Sequence, residues 1–159
     1  MGKITVFEHQ SVMTATADEL MTFHAHPKAF KRLTPPPIFV QVHRNDLKSL
    51  TEGEVEFTLW FGLIPVRWLA RHEPGPIETS FMDRQIKGPL ERWEHQHIFQ
   101  PVEDDPNKTT LIDRITIEYK ASWKGWLSRL FFGGLPLRFL FIYRHQRTKW
   151  GLRKKSPDS

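Results

Sequence analysis

Cysteine is absent from the 159 residues. That removes disulfides, thiol nucleophiles and cysteine-type zinc sites, and it favours a reducing compartment, so we expect a cytoplasmic protein. Long apolar runs are also missing. The opening stretch MGKITVFEHQ contains no signal-peptide core. Val6 stands where a myristoylation signal needs Ser or Thr. The most apolar segment, Phe139 to Tyr143, follows Arg138 and a Gly133-Gly134-x-Pro136 break, and a membrane span needs roughly 20 apolar residues. No glycine-rich phosphate loop and no Gly-x-Ser-x-Gly elbow occurs, which excludes the common nucleotide-binding and serine-hydrolase signatures. Internal repeats and low-complexity linkers are missing as well.

What is present points to one folded domain. Hydrophobic residues make up 39% and aromatics 13%, too much apolar surface for a disordered chain, and the length suits a single core. We expect that domain over residues 1–152 and a basic, disordered tail over 153–159. The net charge of +5 is local: residues 144–155 hold six Lys or Arg and no acid, and the body is close to neutral. A neutral body argues against nucleic-acid binding. The basic end beside Leu130, Phe131, Phe132 and Leu135 is compatible with transient contact to an anionic membrane surface.

Taken in order, residues 3–13 read as a strand. Thr16-x-x-Glu19 has the form of a capping box and predicts a helix to about His24. Pro27 opens a second short helix to Leu33, ended by Thr34-Pro35-Pro36-Pro37. Strands follow at 38–43, 54–61 and 66–73. Alternation places Val55, Phe57 and Phe61, then Trp68 and Ala70, on the inner face. The segment 101–108 reads as an acidic loop, and 109–119 as the last strand. Helical spacing begins near Trp126, breaks at Gly133-Gly134 and Pro136, and resumes to about Trp150.

The stretch from Phe81 to Phe99 forms the centre of this pattern. It reads as two antiparallel strands joined at Gly88-Pro89. Phe81, Asp83 and Gln85 share one parity in the first arm. Trp93, His95, His97 and Phe99 share one in the second. Imidazoles among large aromatics are unusual for a plain core and read as a pocket wall. Asp113 lies between Leu111 and Ile115 on an apolar face, where a carboxylate is costly unless paired. We expect it to meet His95 or His97 across the last hairpin. His95-x-His97 also has metal-ligand spacing, with Asp83 or Asp113 as the carboxylate; the reading preferred from sequence is a hydrogen-bonded polar patch without metal or cofactor. His24-x-His26 reads as an exposed pair at a helix end. Arg144 either reaches the Asp83 region or lies in solvent.

This order resembles the helix-grip fold of the START and birch-pollen-allergen-like superfamily, in particular small bacterial members related to polyketide cyclase/dehydrase-like proteins. The resemblance spans residues 4–150. It rests on Leu33-Thr34-Pro35-Pro36, Pro65-Val66-Arg67-Trp68, Phe81-x-Asp83-x-Gln85-x-x-Gly88-Pro89, Trp93-x-His95-x-His97-x-Phe99, Thr110-x-x-Asp113, Tyr119 and Tyr143-Arg144. It implies an α+β fold, β-α-α-β6-α, in which a curved antiparallel sheet of about seven strands wraps a long C-terminal helix. It also implies a hydrophobic small molecule or lipid as partner. Phe57, Trp68, Phe81, Asp83, Gln85, Trp93, His95, His97, Phe99, Asp113, Tyr119, Phe139 and Phe141 are the expected ligand-binding residues. Two alternatives stay open. One is a cyclase or dehydratase acting through His95, His97 and Asp113, with Tyr119 as a further candidate. The other is a peripheral lipid-transfer protein.

Overall fold

The computed structural model describes residues 2–154. Strand β1 (Ile4–Met13) leads into helix α1 (Ala17–Ala25) and the single turn α2 (Ala29–Arg32). Six strands follow: β2 (Phe39–Asn45), β3 (Gly53–Phe61), β4 (Ile64–Pro74), β5 (Ser80–Lys87), β6 (Arg92–Val102) and β7 (Asp105–Glu118). Helices α3 (Trp123–Phe132) and α4 (Gly134–Arg153) end the described chain. The strands form one antiparallel sheet in the order β1-β7-β6-β5-β4-β3-β2. Consecutive strands from β2 to β7 are neighbours because short hairpins join them, and β1 closes against β7. This is the expected α+β arrangement, a curved sheet around a C-terminal helix.

Local chemistry explains most boundaries. The Thr16 hydroxyl accepts from the Glu19 amide at 3.2 Å, and the Glu19 carboxylate accepts from the Thr16 amide at 2.8 Å. This reciprocal pair starts α1, as its sequence predicts. The β3–β4 turn has only two residues, Gly62 and Leu63. Glycine takes the first place with φ +64, which a tight hairpin of this kind demands. Pro136 lies within the first turn of α4, where its missing N–H breaks no helical bond. The chain therefore breaks at Gly133 alone.

Two apolar clusters make the interior. The larger joins Val55, Phe57, Trp68, Trp93, Ile115 and Ile117 of the sheet to Phe132, Leu137 and Phe141 of the helices. The smaller gathers Met13, Leu20, Phe81, Phe99 and Leu111 under α1. Helix α4 buries Leu137, Phe141, His145 and Thr148, one stripe at helical spacing.

Three expectations need correction. The acidic loop 101–108 is instead a long hairpin whose strands reach Val102 and Asp105 around a two-residue turn. It projects past the core, so both faces are wet and no apolar alternation marks it. Pro101, which has no N–H to donate, sits at a break in the register. The second helix is only the turn Ala29–Arg32. Of the tail expected from residue 153, Arg153 is still helical, and residues 155–159 lie outside the described residues.

Gly53 has φ +113, and a Cβ there would come 2.3 Å from the Asp46 carbonyl oxygen. At Gly62 the φ is +64 and a Cβ would meet nothing within 4 Å. In urea unfolding, Gly62→Ala should therefore cost about 1–2 kcal/mol, the left-handed penalty alone. Gly53→Ala should cost more, roughly 3 kcal/mol or above, because backbone must also move.

Candidate functional site

Four neighbouring strands bring charge into the interior. Trp93, His95, His97 and Phe99 on β6 are all buried, as are Leu111, Asp113, Ile115 and Ile117 on β7. In the ladder Asp83 stands opposite His95, His97 opposite Asp113, and Asp113 opposite His9 of β1. Because inward side chains recur every second residue, register alone stacks these groups on one face.

Asp113 sits at the centre. Its Oδ1 accepts from His95 Nε2 at 2.6 Å and its Oδ2 from His145 Nε2 at 2.7 Å. His97 Nδ1 lies 3.1 Å from the same Oδ1. Asp83 is the second pole: its Oδ2 accepts from His97 Nε2 at 3.0 Å and lies 3.3 Å from His95 Nδ1. Both rings thus bridge two carboxylates, with centroids only 3.7 Å apart. At the far end, Ser11 Oγ lies 2.6 Å from His145 Nδ1.

Burial by itself would raise both carboxyl pKa values. At Asp83 the charge of His95 and hydrogen bonds from His95 and His97 outweigh it. At Asp113 the hydrogen bonds from His145 and His95, with the His97 ring close by, do so. Both acids are held well below the ordinary carboxylate range. Burial pushes His95 down, but the Asp83 charge and the bonds to Asp113 and Asp83 push harder, so its pKa is raised. The result is an imidazole made more basic between two carboxylates and closed to water on most sides.

This polar end opens into a cavity of ≈ 660 Å³ between the sheet, the Pro35–Ile38 loop and α4. Phe57, Trp68, Phe81, Trp93, Phe139 and Phe141 line it, as do Asp83, His95 and His97. Phe139 is at the outer rim and exposed, whereas Phe141 is buried and turns its edge to His95 at 5.1 Å. Arg144 also lines the cavity, with its guanidinium 5.7 Å over the Phe141 ring. Burial lowers the Arg144 pKa against the pull of Asp113 and Asp83. It therefore turns inward instead of into solvent.

Four expected ligand contacts lie off the wall. Asp113 stands behind His95 and His97 and acts through them. Phe99 is fully buried in the smaller core cluster. The Gln85 amide donates to the Leu90 carbonyl at 2.8 Å and accepts from the Leu90 N–H at 3.3 Å, so it closes the β5–β6 connection. The Tyr119 hydroxyl donates to the Phe132 carbonyl at 2.8 Å and ties β7 to the end of α3.

Several participants were not singled out from sequence. His145 lies four residues after Phe141 and eight after Leu137, so it falls on the buried stripe of α4; a histidine at that spacing was a readable signal. His72 continues the inward parity of Trp68 and Ala70. It lines the cavity with Nδ1 3.0 Å from the Leu50 carbonyl. The expectation for His24 is overturned. Only His26 is exposed, while His24 lines the cavity and packs 5.9 Å from His97 and 5.0 Å from Phe99, centre to centre. Among the described residues, Asp83, His95 and His97 form a group whose nitrogen and oxygen atoms converge within 4.8 Å, close enough to share a metal ion.

Burial, with the nearby His97, lowers the His24 pKa from 6.5 to about 3. Between those values the unfolded chain binds a proton that the folded chain does not, so His24 makes stability fall as pH drops through that window. His72 acts in the same direction. His95 acts in the opposite sense, since its stabilisation is complete below the unfolded pKa and is lost as pH rises through its raised pKa. Asp83 and Asp113 keep their contribution until pH falls below the ordinary carboxylate range. His24→Gln should therefore flatten the pH dependence of unfolding free energy by up to about 1.4 kcal/mol per pH unit between about pH 4.5 and 6. Urea titrations at several pH values measure it.

No family model and no curated protein sequence matches the chain. Solved structures do. Zhui aromatase/cyclase from Streptomyces superposes with TM-score 0.76 at 12% identity over 98% of both chains. A START superfamily protein from Mycobacterium smegmatis gives TM-score 0.66 at 11% identity, over 95% of this chain and 99% of that one. Norcoclaurine synthase from Thalictrum flavum, solved with dopamine and hydroxybenzaldehyde, gives 0.66 at 15% identity over 98% and 91%. At such identities the likeness concerns architecture: the chain has the helix-grip fold of the START and birch-pollen-allergen-like superfamily that its residues resemble.

Proposed function

We propose that the protein binds and carries a hydrophobic small molecule or lipid in the cavity between sheet and α4. One observation supports this above all. The space is roomy and its walls are mostly aromatic, yet one end holds His95, His97, Asp83 and Arg144. A wall of that kind removes an apolar body from water, and the polar end fixes its orientation. Arg144 has no ion-pair partner within reach among the described residues and suits a carbonyl, enolate or carboxylate on the ligand. Native mass spectrometry of freshly purified protein should reveal an apolar adduct or, after delipidation, saturable 1:1 uptake of an apolar probe. Ala70→Phe, which fills the wall beside Trp68, should weaken uptake about tenfold, equivalent to about 1.4 kcal/mol. A folded wild type that takes up no apolar probe would refute the carrier.

A catalytic reading rests on the same polar end. His95, its pKa raised by Asp83 and Asp113, lines the cavity and can exchange a proton with a bound carbonyl. Of the groups expected for it, Tyr119 is committed to the Phe132 carbonyl and drops out.

The partner we propose for loading is an anionic membrane. Helix α3 buries Gly125, Ser128 and Phe132. Its opposite stripe, Trp123, Trp126, Leu127 and Leu130, faces water with Trp123 71% exposed. Leu135 and Phe139 of α4 extend the patch, and Leu130 and Phe139 also line the cavity. Lys120, Lys124, Arg129 and Arg138 flank it, and no acid occurs from residue 120 to 155. An amphipathic helix with tryptophans and cations lies well at a lipid interface. No helix among the described residues is long and apolar enough to cross a membrane. The protein should sediment with phosphatidylserine-containing vesicles and less with neutral ones. High salt should release it, and the double substitution Trp123→Ala, Trp126→Ala should reduce binding about tenfold or more. Equal binding by this variant would remove α3 from the interface.

A further inference from the structure

We infer that Asp83, His95 and His97 form a binding site for one divalent first-row transition metal at the polar end of the cavity. The argument starts from positions. His95 and His97 are two residues apart on one strand face, and Asp83 stands directly across from His95. Three donors, His95 Nδ1, His97 Nε2 and Asp83 Oδ2, thereby converge. Asp83 Oδ2 is 3.3 Å from the first nitrogen and 3.0 Å from the second. Donors at about 2.0–2.1 Å from a tetrahedral ion stand roughly 3.3 Å from one another. Little movement is needed to admit an ion among them.

The surroundings meet a second requirement. A ligating imidazole is normally aimed by a carboxylate on its other nitrogen. Here one oxygen, Asp113 Oδ1, faces the other nitrogen of both rings, at 2.6 Å from His95 Nε2 and 3.1 Å from His97 Nδ1. Asp113 is itself held by His145, and His145 by Ser11. His97 Nδ1 is buried and completes no hydrogen bond, although it lies within reach of Asp113. A slight tilt of the ring, set by an ion at Nε2, would make that bond. Charge gives a third reason. The carboxylates of Asp83 and Asp113 both lie within 3.3 Å of these rings, and a divalent ion offsets negative charge gathered in so small a space.

The donor set selects the class of ion. Two nitrogens and one carboxylate, with no sulfur, suit Zn²⁺, Fe²⁺, Co²⁺, Ni²⁺ or Mn²⁺ and disfavour Cu⁺, Ca²⁺ and Mg²⁺. All three residues line the cavity, so the remaining coordination positions open toward whatever occupies it. The inference does not depend on the carrier reading, because the site can be loaded with metal whether or not an apolar molecule binds.

The test uses the full chain, stripped with chelator and titrated with Co²⁺ by visible absorption and with Zn²⁺ by calorimetry. One equivalent should bind, with ligand-field bands in the cobalt spectrum and a rise in Tm. His97→Ala and Asp83→Asn should each weaken binding about 100-fold or more. Asp113→Asn, which affects aim and not ligation, should weaken it about 10- to 100-fold at unchanged stoichiometry. His26→Ala, on the exposed histidine, should change nothing. Circular dichroism of the metal-free variants establishes that they fold; if His97→Ala does not, the isosteric Asp83→Asn, at a partly exposed site, carries the comparison. Wild type that takes up no stoichiometric cobalt or zinc overturns the inference. So does uptake that persists undiminished in Asp83→Asn.

Discussion

A single buried carboxylate organises the functional half of this molecule. Asp113 is inside an apolar layer, where an isolated charge is untenable. Three imidazoles from two different elements converge on it, and they tie strand β6 and helix α4 to strand β7. Sheet and helix are thus locked at a chosen register and rotation. Slip of one residue along β6 would send both histidines to the wet side and leave the acid bare. Such networks are weak contributors to net stability but strong arbiters of which packing is allowed.

The cavity follows from this constraint. Where sheet meets α4 through Ile115, Ile117 and Leu137, apolar side chains pack together and line no part of the cavity. Where the imidazoles intervene, their rings must keep hydrogen-bond geometry and cannot slide together to fill space. The Pro35–Ile38 loop and Phe139 then cover the opening from outside. One polar cluster thus stands at the end of the cavity, where Asp83, His95 and His97 interrupt the aromatic wall.

Much of this was legible in the sequence, through one property. Period-two alternation placed Trp93, His95, His97 and Asp113 inward, and the partnership of Asp113 with the histidines followed from strand spacing. Alternation fails where both faces of a strand are wet, as in the hairpin around Glu103 and Asp104. It also says nothing about how far along a face the ligand reaches. Phe99 has the same parity as His97, yet Leu20 of α1 and Met13 of β1 pack in its cluster. Tyr119 and Gln85 lie off the cavity wall with their polar atoms bonded to backbone groups at chain junctions, a tertiary fact that alternation does not carry. His145 is a different case: it falls in the basic segment 144–155, whose charge masks its place on the buried stripe of α4.

The outer face of the sheet is electrically quiet. Arg67 with Glu56, Arg71 with Glu54, Arg84 with Glu73, Arg92 with Glu94, and Arg114 with Glu8 neutralise one another pair by pair. Helices α3 and α4, by contrast, carry basic residues and no acid at all. Charge so divided gives the molecule an uneven field, and an outside potential pulls on the helices more strongly than on the sheet.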